Sequence, residues 1–254
     1  MTEALSGWLP EGYAGAPDTL AGRVVLVTGA GQGLGRAVAL ACARAGATVA
    51  LLGRKQARLE ATYDEITAAG APEPALVPLD LAEADDAACE RLAQVLRHDL
   101  GRLDAVAHCA SHFVPLGPLA NQKLEQWLAL LRVNLVAPFA VTRACLPMLL
   151  EAPDSAVVFT GETHGVQPRA YWGGFAVSKS GLSPLAAIWA DELERMGKPR
   201  MNVLVPGPVA TPQRRRSHPG EDPRTLRSAE DAARAFVYLL GPDNAVHNGR
   251  TLAL

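Results

Sequence analysis

Seven short apolar runs punctuate the chain, at residues 23–28, 48–52, 75–79, 103–109, 155–160, 201–205 and 249–254. Runs of this length without polar alternation suit strands buried on both faces, as in a parallel sheet. The segments between them carry helical spacing. One helix opens just after the first run. Others are expected over 55–69, closed by Gly70, over 84–100, over 124–150 with interruptions at Pro138 and Pro147, on to about residue 195, and over 228–240. Strand and helix alternate throughout, which predicts an α/β fold with a parallel sheet and helices on both faces. Residues 1–22 show no periodicity and hold Trp8, Tyr13 and Pro17 among glycines and prolines. They read as an N-terminal arm, whose aromatics could pack on the domain or on a neighbouring subunit, ahead of a single domain over 23–254.

Composition narrows the functions open to such a fold. With 254 residues, 49% of them hydrophobic, the chain can bury a full core. A net charge of −2 provides no basic footprint, so nucleic acid is not an expected partner. Cys42, Cys89, Cys109 and Cys145 sit singly in apolar patterns, with neither C-x-x-C nor zinc spacing, and read as core thiols in a reducing compartment with no metal site. The first residues lack the basic start and apolar core of a leader, and no later run approaches the ~18 apolar residues of a membrane span. A cytoplasmic protein without membrane contact is the expectation.

The first strand runs straight into Gly29-Ala30-Gly31-Gln32-Gly33-Leu34-Gly35 and then a helix. Gly29 permits a tight turn, while Gly33 and Gly35 let the backbone approach a pyrophosphate at the helix N-terminus and let the helix pack closely. The turn predicts a dinucleotide site. At the end of the second strand stand Gly53-Arg54-Lys55, with no acid to accept from a ribose 2′-hydroxyl. Arg54 can grip a 2′-phosphate as a planar fork, so NADP(H) is expected over NAD(H).

Led by Thr28, the pattern T-G-x-x-x-G-x-G resembles the cofactor turn of the short-chain dehydrogenase/reductase family, and the resemblance spans about residues 20–254. The wording W-G-x-F-x-x-S-K and the strand end L-L-G-R are similar to a bacterial oxidoreductase subgroup of that family. The resemblance implies a Rossmann-type doubly wound sheet of seven parallel strands. It implies adenine contacts from Asp80 and Leu81, although Asp80 would also suit the N-cap of the helix over 84–100. It implies a ribose-side contact at Ala110, within His108-Cys109-Ala110-Ser111, where the family has Asn-Asn-Ala-Gly. His108 and His112 read as hydrogen-bonded structural histidines. Asn134 matches the asparagine that holds a relay water, and Pro206 and Thr211 match the loop that receives the nicotinamide carboxamide. The segment over about 208–228, with Arg214-Arg215-Arg216, corresponds to a loop-like substrate lid, and its arginines would suit an anionic substrate or the cofactor phosphates. Members of the family are often homodimers or homotetramers through the helix over 124–150 and the next one.

The stretch Tyr171-Trp172-Gly173-Gly174-Phe175-Ala176-Val177-Ser178-Lys179 departs from that pattern. The family's catalytic motif is Tyr-x-x-x-Lys. Lys179 is present, Phe175 stands at the tyrosine position, and Glu162 falls where the catalytic serine belongs; Thr163 could offer a hydroxyl only after a one-residue shift of the loop. Protonating the alkoxide left by hydride transfer is worth ~10²–10⁴-fold, which a phenylalanine forgoes. An ionised Glu162 about 4 Å from that alkoxide would oppose it by roughly 4 kcal/mol at an effective dielectric near 20. Lys179 is expected to bind the cofactor ribose and to pair with Glu162. Two active readings stay open: Glu162 as the base of an alcohol oxidation, and Tyr171 swinging in as donor. The expectation is an NADP(H)-binding oxidoreductase-type protein with an altered active site, or a non-catalytic cofactor binder; no substrate is indicated.

Overall fold

The computed structural model of the chain describes residues 4–254. Seven strands form the sheet: β1 Val24–Thr28, β2 Thr48–Gly53, β3 Ala75–Pro78, β4 Ala105–His108, β5 Ala156–Thr160, β6 Arg200–Val205 and β7 Thr251–Ala253. All pair in parallel, in the order β3-β2-β1-β4-β5-β6-β7. The order reverses between β1 and β4, and that reversal opens a crevice at their C-terminal ends.

Among the described residues ten α-helices connect and cover the strands: α1 Gly33–Arg44, α2 Gln56–Ala68, α3 Asp86–Leu100, α4 Leu124–Leu131, α5 Ala137–Glu151, α6 Thr163–Val166, α7 Gly173–Ser180, α8 Leu182–Glu192, α9 Pro212–Ser217 and α10 Ala229–Leu240. Side chains alternate across the sheet, so β1 feeds both layers. Val25 and Val27 join the core under α1 and α10, whereas Val24 and Leu26 join the core under α3, α5 and α8. A third, smaller cluster of Phe113, Val114, Leu130, Trp172, Phe175 and Ala176 stands apart from both.

Several expected boundaries shift for identifiable reasons. The segment over 124–150 is not interrupted at its prolines. α4 passes into a π-helical segment, Arg132–Val136, and on into α5, with Pro138 just after the π-helical segment and Pro147 inside the helix. This stretch, Leu124–Glu151, is long and apolar enough to cross a membrane by length and composition, contrary to the expectation that no run was. Arg132 and Arg143 masked it in the sequence; half of its apolar window is buried inside the fold. The helix expected to reach residue 195 divides at Gly181 and ends at Glu192, followed by a single tight turn, Glu194–Met196. The segment over 208–228 is not simply loop, since it contains α9 and a short turn, Pro223–Thr225.

The arm lies along the sheet edge, its first three residues being outside the described part. Leu5 donates its N–H to the Thr251 carbonyl at 2.9 Å and accepts from Ala253 N–H at 2.7 Å, which satisfies part of the open edge of β7. Trp8 Nε1 donates to the Ala253 carbonyl at 2.9 Å, and its ring lies 5.9 Å from Tyr238 and 5.7 Å from His247. Tyr13 stacks edge-on against Tyr238 at 5.1 Å, and its hydroxyl donates to Asp243 at 2.7 Å. Trp8→Ala is expected to lower stability by about 2–3 kcal/mol, somewhat below a fully buried aromatic, read as a shifted urea midpoint with unchanged slope. An unmoved midpoint would mean that the Trp8 side chain contributes nothing to the fold.

Candidate functional site

The C-terminal ends of β1 to β6 bring together nearly every residue singled out by sequence. At the end of β1 the Gly-rich turn leads into α1. Gly29 has a φ of +70°, and a side chain there would lie 2.9 Å from the Ala110 backbone. At Gly35 a Cβ would sit 2.3 Å from the Gly29 carbonyl oxygen, so the helix can begin against the turn only without one. Thr28 Oγ1 accepts from Ala110 N–H at 3.0 Å and fastens the segment after β4 to the turn. Leu34 packs into the core under α1 and α10. Gln32 is extended ahead of α1, and its side-chain carbonyl accepts from Arg58 of α2.

At the ends of β2 and β3, Arg54 is exposed and Leu81 is buried. The Asp80 carboxylate accepts from Ala82 N–H at 3.0 Å. Asp80 is not the N-cap of α3, as the sequence allowed. Asp85 takes that place, accepting from Ala88 N–H at 2.8 Å, because the turn between them moves the helix start to Asp86.

Beyond β4, His108 is buried, makes a 2.8 Å hydrogen bond with Thr142 Oγ1 and stacks on Phe159 at 5.0 Å. Burial, aided by the charge of Lys179, pushes it down to about 3, so it is neutral. His112 differs: it is half-buried at the cleft, and burial, then Arg54 and Arg216, lower its pKa while Asp80 raises it. The exposed Ser111 reaches Asn134 Oδ1 at 3.4 Å. Asn134 is fully buried in the π-helical segment. Its Oδ1 accepts from His112 N–H at 2.7 Å, and its Nδ2 donates to the His112 carbonyl and to Ser178 Oγ, each at 3.0 Å.

Glu162 follows β5 in an extended conformation, half-buried, and Thr163 is already the first residue of α6. The expected ion pair of Glu162 with Lys179 does not form. Lys179 Nζ instead donates to the Thr160 carbonyl at 2.8 Å, a partner fixed by strand geometry. Only 5% of Lys179 is exposed. Burial pulls its ammonium down to about 8, while the charge of Glu162 pulls it back up. Phe175 is 2% exposed on α7 and meets Phe113 edge-on at 5.2 Å. Tyr171 is not placed to swing in along the helix, because it precedes α7. Its backbone is left-handed (φ 75°), its carbonyl accepts from Gly117 N–H at 3.0 Å, and the residue is 61% exposed.

After β6, the buried Pro206 offers its carbonyl to Arg227 at 3.0 Å. Thr211 caps α9, accepting from Arg214 N–H at 3.2 Å, and the turn it shares with Pro212 lies over Gly33. The three lid arginines separate. Arg214 makes a bidentate pair with Glu221 (2.6 and 2.8 Å) and also feels the charge of Glu162; Arg215 is exposed; Arg216 lies over the Phe113 ring at 5.7 Å. His218 is 5.9 Å from the Trp172 ring, and His164 is 4.0 Å from it on another element.

Sequence reasoning passed over Arg58. Its only signal was a position one helical turn after Arg54; the contact with Gln32 depends on how α2 packs on the turn, where a Cβ on Gly31 would lie 2.8 Å from Arg58 Cβ.

The cradle thus has the shape that a dinucleotide needs. Residues 23–222 match the family model described as short chain dehydrogenase. The chain is 35% identical over 239 residues to the oxidoreductase YciK of Escherichia coli K12, covering 94% of each. The solved structure of E. coli YciK superposes with a TM-score of 0.91 at 35% identity, over 95% of this chain and 98% of that one. A short chain dehydrogenase from Shigella flexneri 2a, solved in complex with NADP, reaches a TM-score of 0.90 at 34% identity, over 94% and 99%. One from E. coli CFT073, in complex with NADPH, reaches 0.90 at 35%, over 94% and 98%. The chain belongs to the short-chain dehydrogenase/reductase family.

Proposed function

We propose that the chain is an NADP(H)-binding oxidoreductase of this family whose proton-transfer positions are altered, so that it retains the cofactor site with little carbonyl reduction. The observation that carries this reading is the environment of Phe175: a side chain without a hydroxyl, buried in an aromatic cluster four residues before Lys179. The glycine cradle, Arg54, Asp80, Leu81, Ala110, Lys179, Pro206 and Thr211 are the residues that would hold the dinucleotide. NADP(H), when bound, supplies or accepts hydride. The chain's own groups orient it. Arg54 offers a fork to the 2′-phosphate, Lys179 offers an ammonium to the ribose, and Asn134 keeps the segment after β4 against the cleft. The cofactor complexes of the Shigella and E. coli relatives support NADP(H) in particular.

A second reading, a non-catalytic cofactor binder, is favoured by how the lid is fastened. Arg216 covers Phe113 and His218 adjoins Trp172, so lid and aromatic cluster hold one another. The two readings part on one experiment: NADPH titration of the chain, followed by a screen of small ketones, aldehydes and alcohols. Cofactor binding with residual turnover supports the first reading, binding with none supports the second, and no binding removes both.

Exposed Leu124, Leu128, Val136, Phe139, Val177 and Ile188 lie along α4, α5, α7, α8 and the π-helical segment. The Trp189 indole N–H, buried beside Phe139, has no partner among the described residues. Such an apolar face supports a homodimer, or a homotetramer that includes it, in a cytoplasmic protein. Light scattering of the purified chain should give at least twice the 26.7 kDa subunit mass, and Phe139→Asp with Ile188→Asp should return it to one subunit. A monomeric parent protein would remove the proposal.

Restoring the missing hydroxyls tests the chemistry. Phe175→Tyr combined with Glu162→Ser is expected to raise NADPH-dependent carbonyl reduction by ~10²-fold or more over the parent chain, with cofactor affinity kept. Turnover no higher than the parent's, with cofactor still bound, would mean that these two positions are not what limits it.

Lys179 makes cofactor binding depend on pH. Its pKa is lowered to about 8, so the ammonium that donates to the ribose is present below that value and lost above it. NADPH affinity is therefore expected to fall several-fold between about pH 7 and about pH 9.5, and Lys179→Met should flatten this dependence. The same slope in the Lys179→Met chain would assign the titration to another group.

A further inference from the structure

We infer that Arg58 is a second phosphate-binding guanidinium, which acts with Arg54 to select the 2′-phosphorylated dinucleotide. The inference rests on the cofactor reading above and goes beyond it in naming a residue that neither the glycine pattern nor the end of β2 marks.

The geometry comes from three elements. Arg54 stands just past the end of β2, and Arg58 lies four residues later in the first turn of α2. Arg58 reaches back to the Gly-rich turn and donates through Nη1 to Gln32 Oε1. Gln32 lies between Gly31 and Gly33, in the backbone that cradles a pyrophosphate. A dinucleotide seated on that backbone directs its adenosine ribose toward the end of β2, where the 2′ position is read. Arg54 would approach the 2′ position from the strand end and Arg58 from the turn.

The charges around them fit an anion. The carboxylates of α2 and of the end of β3 have partners of their own: Glu65 pairs with Arg36, Glu60 accepts from Gln56, and Asp80 accepts from Ala82 N–H. Among the described residues, neither Arg54 nor Arg58 has a carboxylate within ion-pair distance. Arg58 is held only by a neutral amide, which fixes its direction while leaving its charge uncompensated. A phosphate monoester carries close to two negative charges and three acceptor oxygens, more than one fork can satisfy. Gln32, with its carbonyl used by Arg58, keeps its amide N–H groups free to donate to the same phosphate. Gly31 also acquires a reason. Any Cβ there would meet Arg58 Cβ at 2.8 Å and push α2, with its arginine, off the turn.

The test is calorimetric titration of the full chain and of Arg58→Gln, Arg58→Lys and Arg54→Gln, each with NADPH and with NADH. The parent chain should bind NADPH more tightly than NADH. Arg58→Gln should weaken NADPH about ten-fold or more and leave NADH within about twofold, while Arg58→Lys keeps part of the preference because it keeps charge but loses the fork. Equal losses for both dinucleotides would mean that Arg58 only supports the turn, and an unchanged NADPH affinity would mean that it does not touch the phosphate; either outcome overturns the inference. Thermal unfolding of the cofactor-free variants shows whether a loss reflects folding instead. A parent chain that binds without preferring NADPH would defeat the 2′-phosphate reading at Arg54 as well, so the two failures are told apart by which protein shows them.

Discussion

One buried carboxamide ties together the walls of the cleft. Asn134 uses both of its polar atoms, holding the backbone of His112 from both sides and reaching Ser178 on α7. Ser178 in turn donates to the Phe175 carbonyl at 2.7 Å, so the segment after β4, the π-helical turn and the helix carrying Phe175 and Lys179 form one bonded unit. Removing such a group would leave buried donors and acceptors unpaired, at roughly 1–3 kcal/mol each. The π-helical geometry is intelligible on the same ground. A regular α-helix over 124–151 would set residue 134 at a different angle, and insertions of this kind in helices frequently coincide with functional sites.

Around that unit the cleft divides by charge. Around the Gly-rich turn and the ends of β2 and β5, Arg54, Arg58 and Lys179 are positive, and Asp80 is occupied with backbone N–H groups of its own turn. On the lid side Glu162 sits within the influence of both Lys179 and Arg214, while Arg214 is already paired with Glu221. A carboxylate so placed stabilises positive charge and opposes the negative charge that builds on a reducing carbonyl. That distribution of charge is what the proposed reading, an NADP(H) site with altered proton-transfer positions, rests on.

The fold was largely legible in the amino-acid sequence because buried parallel strands are unbroken apolar runs and their helices are periodic. All seven runs became strands, and the glycine turn fell between β1 and α1. Boundaries failed where tertiary contacts decide them. Asp80 and Asp85 are both competent N-caps, and only the path of the turn chooses between them. Nothing in the side chain of Tyr171 announces the left-handed backbone that leaves it ahead of α7. Placement of the candidate residues was legible where it depends on fixed spacing after a strand, as at Gly29 and Arg54. It was not legible where a long side chain crosses between elements. Arg58 reaching Gln32 and Arg216 reaching Phe113 are distances through space that spacing along the chain does not encode.

The anchoring of Lys179 does not depend on which side chain stands at position 175. A lysine that depended on a neighbouring phenol for its position would be left with a buried, unpartnered ammonium when the phenol was lost, a penalty of several kcal/mol that would select against the change. In this chain the ammonium is held by the backbone carbonyl of Thr160. That carbonyl is set by the pairing of β5 with β6, where Thr160 lies opposite Leu204, and does not depend on any side chain at position 175. Phe175 could therefore join Phe113 and Trp172 in an apolar cluster without releasing Lys179. The position of Lys179 is thus set by the backbone of the sheet, and that of Phe175 by side-chain packing, so neither holds the other in place.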